Sequence, residues 1–66
     1  MKNLEIYSYE TAKITILWNG IPQPLGLFKT AISAKELIEK NHFGAPAELN
    51  KYQLQTPSGI INVFNN

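Results

Sequence analysis

The stretch ITILWNGIPQPLGLF, residues 14–28, constrains the fold of this chain more than any other. Large apolar side chains recur at every second position before Asn19-Gly20, which is the pattern of a β-strand that buries one side. Asn-Gly is the strongest short hairpin signal, because both central residues of a type I′ turn need a positive φ. The sequence therefore predicts a β-hairpin whose two-residue turn is Asn19-Gly20.

Two prolines follow this turn, and they indicate that the second strand lies at a sheet edge. The turn predicts a register in which Trp18 faces Ile21 and Ile16 faces Gln23. Pro22 and Pro24 then occupy positions at which the backbone nitrogen points away from the first strand. The hairpin tolerates both prolines, whereas a further strand would find no donors outside them.

The alternation of the hairpin divides its side chains between two faces. The face predicted to form the core consists of Ile14, Ile16, Trp18, Ile21, Gln23, Leu25 and Leu27. The opposite face consists of Lys13, Thr15, Leu17, Pro22, Pro24, Gly26 and Phe28.

A helix is predicted after the hairpin. Ser33 and Glu36 have the S-x-x-E spacing of a capping box, and apolar residues recur behind them at helical spacing. The predicted helix runs from about Ala34 to Asn41 or His42.

The last twenty residues predict a second hairpin. Tyr52 and Leu54 alternate with glutamines, and residues 56–59, Thr-Pro-Ser-Gly, have the composition of a tight turn. The segment IINVF, residues 60–64, is the predicted last strand. Residues 1–11 are open to two interpretations, an additional strand or a mobile arm.

Composition limits the classes of protein to consider. The 66 residues suffice for one domain, residues 1–66, and contain no cysteine for a disulfide or a cysteine zinc site. Six lysines balance five glutamates, with no arginine for phosphate or guanine contacts, so we do not expect nucleic-acid binding. No apolar run matches a signal peptide or a membrane span, and we expect a soluble cytoplasmic protein.

The order of elements predicts an α+β fold. The prolines exclude a neighbour outside the second strand, so the last strand is expected on the free side of the first strand. A right-handed crossover through the helix would make those two strands parallel. The prediction is a four-stranded mixed sheet of order 2-1-4-3, with one helix across one face.

Three segments resemble the β-grasp fold of small prokaryotic ubiquitin-like proteins over roughly residues 12–64. KITILWNGIPQPL resembles their opening hairpin, TAISAKELIEK their helix and KYQLQTPSGIINVF their closing hairpin. The resemblance implies a protein modifier or recognition module of a bacterial or phage system. Its partners would be proteins, among them an activating or conjugating enzyme. The chain ends in Asn65-Asn66 rather than Gly-Gly, so any conjugation would use the carboxylate of Asn66.

The sequence suggests a binding surface rather than a catalytic site. Leu17, Pro22, Pro24 and Phe28 are predicted to form a partner-binding patch on the open sheet face. Ile60 or Phe64 would extend this patch, depending on the register of the last strand. Trp18 either closes the core or serves as a partner anchor, since tryptophan is enriched in binding hot spots.

No catalytic residue, metal site or cofactor is predicted. His42 is the only histidine, in a chain without cysteine or aspartate, and we expect its ring to contact the last carbonyls of the helix. An alternative function of another class is a small stoichiometric inhibitor or antitoxin that binds and blocks a partner protein.

Overall fold

The computed structural model describes residues 4–64, which form four strands, one α-helix and two 3₁₀ segments. In chain order these are a 3₁₀ turn Leu4–Ile6, β1 Ile14–Trp18, β2 Ile21–Phe28, α1 Ala31–Asn41, a 3₁₀ helix Pro46–Lys51, β3 Tyr52–Thr56 and β4 Gly59–Ile61.

The first hairpin turns at Asn19-Gly20, as predicted. The two residues have φ of 50° and 80°, the left-handed values that a type I′ turn requires. Trp18 pairs with Ile21, which confirms the predicted register beside the turn. The N–H of Gly20 also donates a 2.8 Å hydrogen bond to Oε1 of Gln53, which ties the turn to β3.

A bulge in β2 overturns the predicted register farther from the turn. Leu17 faces Pro22, but Thr15 faces Leu27, so the four residues 23–26 of β2 lie opposite Ile16 alone. The predicted pairing of Ile16 with Gln23 is therefore wrong. Within the bulge Gly26 has a φ of 105°, a backbone conformation that L-residues with a side chain rarely adopt.

The bulge also corrects the predicted faces. It inserts an odd number of residues, three, so the alternation of β2 reverses beyond it. Leu27 joins the face of Thr15 and is 61% exposed, whereas Phe28 faces Ile14 and packs against the core. Ile21 and Leu25 are also exposed rather than buried, at 62% and 41%.

Helix α1 begins three residues before the predicted start. Its N-cap is Thr30, whose Oγ1 accepts a 3.1 Å hydrogen bond from the N–H of Ser33, so the predicted capping role of Ser33 is wrong. The N-terminal segment decides the earlier start, because the carbonyl of Tyr7 accepts a hydrogen bond from the N–H of Ala31. The helix ends at Asn41, within the predicted range.

The sheet is fully antiparallel, with the order β2-β1-β3-β4, and the predicted mixed order 2-1-4-3 is wrong. The 11 residues of α1 span about 16 Å, the length of a five-residue strand, so the helix returns the chain to the Trp18 end of β1. Tyr52 pairs there with Trp18, and β3 runs back along β1. This places the fully buried Leu54 opposite Ile16 in the centre of the sheet.

The core lies between one sheet face and α1. Its buried side chains are Leu4, Ile14, Ile16, Ala31, Ala34, Ile38, Leu54 and Val63. Strand β4 ends at Ile61, before the predicted residue 64, and the chain then leaves the sheet so that Val63 enters the core.

Residues 4–9, within the described part of the N-terminal segment, belong to the folded domain. They contain the 3₁₀ turn that buries Leu4, followed by an isolated bridge between Ser8 and Thr30 rather than a full additional strand. The N–H of Tyr9 donates a 2.8 Å hydrogen bond to the carbonyl of Lys29. This hydrogen bond and the one from Ala31 to Tyr7 therefore hold the segment against the start of α1.

Candidate functional site

The sheet face opposite α1 is the surface on which the sequence placed partner binding. Cross-strand pairs bring seven residues together there, because residues that face each other in a sheet share a side. One row crosses all four strands and a second row crosses three. We define the open face as Leu27, Thr15, Gln55 and Ile60 in the first row, with Pro22, Leu17 and Gln53 in the second.

The open face combines two exposed aliphatic side chains with uncharged polar ones. Leu27 and Ile60 are 61% and 60% exposed and stand on the two outer strands, with Thr15 and Gln55 between them. None of the seven side chains carries a charge. The strands hold both aliphatic side chains at a fixed spacing, so a ligand would meet an apolar surface that is already formed.

The five predicted partner-binding residues do not form one patch. Leu17 and Pro22 do share the open face, but Leu17 is only 1% exposed and lies between its neighbours Pro22 and Gln53. Pro24 is exposed within the bulge of β2. Leu17 therefore supports this surface from beneath, while Pro22 and Pro24 lie on or near the accessible part.

Phe28 and Trp18 lie on the helix side of the sheet. Phe28 faces Ile14 and packs on the core, which corrects its predicted place beside Leu17. Trp18 is half-buried and pairs with Tyr52 of the neighbouring strand β3. Neither aromatic residue can contribute to a contact made by the open face.

The residue that sequence reasoning missed is Leu27. Strict alternation from the Asn19-Gly20 turn assigned it to the core, and only the bulge places it opposite Thr15. Gly26, immediately before it, is the local signal, because an isolated glycine within a strand often marks a bulge. Of the two predicted extensions of the patch, Ile60 pairs with Gln55 and lies on the open face, whereas Phe64 packs against the core.

An aromatic cluster covers the end of the sheet beside the first turn. The rings of Trp18 and Tyr52 meet edge to face with centroids 4.7 Å apart, and the His42 ring lies 5.6 Å from Tyr52. The ammonium of Lys51 stands 5.7 Å from the Trp18 ring centroid. Stacking and cation–π contacts of this kind stabilise the join between β1, β3 and the end of α1. Phe43, the next residue after His42, is 95% exposed.

His42 joins the helix end to the following loop. Its Nε2 lies 3.1 Å from the carbonyl oxygen of Ala45, and its Nδ1 lies 3.3 Å from the hydroxyl of Tyr52. The carbonyl can only accept, so Nε2 carries a proton and donates to it. The ring therefore contacts the loop carbonyl, while the backbone N–H of His42 donates to the helix carbonyl of Ile38.

The described residues contain no group of three or more histidine, cysteine, aspartate or glutamate side chains placed to hold a metal ion. The proposed conjugation residue, Asn66, lies outside the described residues. Between residues 4 and 64, no helix has both the length and the apolar character needed to cross a membrane.

Comparison with known proteins supplies no relative. The chain matches no protein-family model, and no curated protein or solved structure is significantly similar to it. The functional assignment therefore rests on the surfaces that the fold presents.

Proposed function

We propose that this protein is a recognition module that binds another protein non-covalently through the open face. The observation that carries the proposal is the pair of exposed side chains, Leu27 and Ile60, among seven open-face residues that carry no charge. Covering them removes apolar surface from water, at roughly 25 cal/mol per Å². None of the seven open-face side chains is an ion that has to be dehydrated at the same time, which is the larger cost in charged surfaces.

Two biological roles expected from the sequence use such a surface. One is the recognition module of a bacterial or phage system, acting in the cytoplasm, that the ubiquitin-like resemblance implies. The other is a stoichiometric inhibitor or antitoxin, which occupies a surface of its target. The covalent modifier that the same resemblance implies depends instead on the carboxylate of Asn66.

The first test compares partner binding by the natural chain and by Leu27→Lys. A tagged chain recovers partners from the native host under non-denaturing conditions, and the purified partner is then titrated by calorimetry. A lysine within the contact must lose its hydration, so we expect affinity to fall about tenfold or more. Ile6→Lys is the matched control, because Ile6 is 69% exposed but lies in the N-terminal 3₁₀ turn.

Equal affinity of Leu27→Lys and the natural chain would refute binding through the open face. Recovery under denaturing conditions separates the covalent role from the non-covalent ones. A partner that stays joined in denaturant, and is lost when residues 65 and 66 are removed, would establish the modifier. Inhibition of the purified partner at one-to-one stoichiometry would establish the inhibitor.

A further inference from the structure

The turn of the first hairpin contains the only asparagine of the chain that is followed by glycine. Asparagine is one of the chemically labile side chains of proteins. The backbone nitrogen of the next residue can attack its Cγ, and glycine hinders that approach least because it has no Cβ. Asn19 is exposed, and within residues 4–64 no hydrogen bond holds its side-chain amide. The carbon that would be attacked is therefore accessible in the folded chain.

The attacking nitrogen, by contrast, is held. In a two-residue hairpin turn the flanking pair makes the ladder hydrogen bonds, which leaves the N–H groups of the two turn residues without a partner in the hairpin. Here both N–H groups find acceptors at the start of β3. The N–H of Asn19 donates a 2.8 Å hydrogen bond to the carbonyl of Lys51, and the N–H of Gly20 donates one of 2.8 Å to Oε1 of Gln53.

The side chain of Gln53 has a fixed orientation. Its Nε2 donates a 2.8 Å hydrogen bond to the carbonyl of Lys51, and its backbone pairs with Leu17 in the sheet. A carbonyl can only accept and a backbone N–H can only donate, so the two contacts determine which end of the amide faces Gly20. The fold thus directs Oε1 at the one nitrogen that could attack Asn19.

We propose that Asn19 is a site of spontaneous deamidation, and that Gln53 is a positioning residue that suppresses the reaction in the folded chain. The bond to Oε1 retains the proton of the Gly20 nitrogen and fixes the plane of its peptide group. The nitrogen has to leave this bond before it can lose the proton and turn toward Cγ. Opening of the turn is therefore the step that permits the reaction.

The reaction consumes water and releases ammonia, without oxidation or reduction. The Gly20 nitrogen gives its proton to solvent and forms a bond to Cγ of Asn19, and the side-chain amide takes up a proton and leaves as ammonia. Water then adds to one of the two carbonyls of the resulting cyclic imide. Cleavage of the bond between the nitrogen and Cγ gives aspartate, and cleavage of the bond between the nitrogen and the main-chain carbonyl carbon gives isoaspartate.

The two products differ in their effect on the hairpin. Aspartate leaves the main chain unchanged, and Asp-Gly favours the same type I′ turn as Asn-Gly. Isoaspartate adds a methylene group to the main chain, in a turn whose residues have φ of 50° and 80°. The isoaspartyl chain should therefore unfold at a lower temperature than the aspartyl chain.

Peptide mass spectrometry after incubation at mildly alkaline pH tests the proposal, with chromatography to separate the aspartyl and isoaspartyl peptides. The samples are the folded natural chain, the same chain in denaturant, and folded Gln53→Met, which keeps the length of the side chain and removes its amide. Deamidation at Asn19 should be fastest in denaturant. Gln53→Met should react about threefold to tenfold faster than the folded natural chain, the factor that one net hydrogen bond corresponds to.

Hydrogen exchange at the Gly20 amide, followed by NMR, reports the opening of the turn directly. This exchange should be slow in the natural chain, and Gln53→Met should accelerate it by a factor similar to that for deamidation. Circular dichroism verifies that Gln53→Met is folded. Exchange in the natural chain needs no variant, and a rate at Gly20 as fast as in denaturant would overturn the proposal.

Gln55→Met is the matched control, because Gln55 also lies on β3 and on the open face but makes no contact with the turn. It should leave deamidation at Asn19 unchanged. Asn62, which precedes a valine, is the internal reference within each sample.

Equal deamidation rates in Gln53→Met and the natural chain would overturn the role of Gln53, as would equal acceleration by Gln55→Met. Equal rates in the folded and the denatured natural chain would overturn suppression by the fold. The measurement needs no partner protein, so its outcome is independent of binding through the open face.

Discussion

Gly26 is the residue on which the face assignments of β2 depend. Its φ of 105° lies where an L-residue with a side chain is strained, and it immediately precedes Leu27. The bulge that contains it turns Leu27 to the open face and Phe28 to the core. One backbone conformation thus decides which of two neighbouring apolar residues is available to a partner.

Gly26→Ala should destabilise the fold by about 1–3 kcal/mol, the usual cost of a strained backbone conformation. An added Cβ would meet no atom within 4 Å, so the effect comes from φ and not from a clash. The free energy of unfolding by denaturant measures it. D-alanine at the same position is the control, because its preferred φ is positive. If the L- and D-alanine forms had equal stability, the left-handed conformation at this residue would be refuted.

Tyr9 links the N-terminal segment to the turn between β3 and β4. Its hydroxyl lies 3.1 Å from Oγ of Ser58, and this hydrogen bond is the main reason why the pKa of the Tyr9 phenol lies below its usual 10.0, with Thr56 contributing next. Because the folded pKa is the lower one, this phenol favours the folded state increasingly as pH rises from its folded pKa to 10.0. That contribution is lost as pH falls through the folded pKa.

Ser58→Ala should therefore move the pKa of Tyr9 back up toward 10.0. Ultraviolet absorbance follows formation of the phenolate, and the difference from Tyr9→Phe isolates this tyrosine from the other two. An unchanged pKa in Ser58→Ala would show that the hydroxyl of Ser58 is not its cause.

At the scale of elements, helix α1 illustrates a competition between two hydroxyl residues. Thr30 and Ser33 both have side chains that can cap a helix, and only Ser33 has a glutamate three residues later. Contacts with the N-terminal segment hold the backbone around Thr30, through the bridge to Ser8 and the bond from Ala31 to Tyr7. Thr30 is therefore the cap, and the hydroxyl of Ser33 makes a 2.7 Å hydrogen bond with it.

Thr30→Ala should cost about 1 kcal/mol of stability, because the N–H of Ser33 loses its side-chain acceptor. Ser33→Ala keeps that acceptor and should change stability by no more than about 0.5 kcal/mol. Thermal unfolding of the two variants gives the comparison. The opposite ranking would mean that the helix begins at residue 34.

At the scale of the whole molecule, the N-terminal segment completes the core. A chain of 66 residues buries a small core, so each large apolar side chain is a substantial share of its stability. Leu4 is 7% exposed and belongs to the core cluster, whereas Ile6, two residues later, faces the solvent.

Leu4→Ala should therefore destabilise the domain by about 2–5 kcal/mol, through lost burial and the cavity left in the core. Ile6→Ala, in the same 3₁₀ turn, should change stability by no more than about 0.5 kcal/mol. Denaturant unfolding of both variants provides the measurement. Equal effects would show that the segment is not part of the core.

The sequence by itself determined the features that depend on neighbouring residues. The Asn19-Gly20 turn follows from its demand for positive φ, and the position of β2 at an edge follows from proline's missing N–H. The end of α1 and the strand Tyr52–Thr56 follow from periodicity and from the breakers that flank them. Of the candidate site, local pattern placed Pro22 on the open face and left Ile60 and Phe64 as alternatives for its extension.

Only the tertiary structure decided the features that depend on distant contacts. Alternation cannot reveal how many residues of β2 lie opposite Ile16, so Leu27 was assigned to the wrong face. Secondary structure cannot state which strand of the second hairpin lies beside β1, because either order uses the same elements. The structure places β3 beside β1, which buries Leu54 opposite Ile16. Strand order is a property of the packed core, and the core exists only after segments far apart in the chain have met.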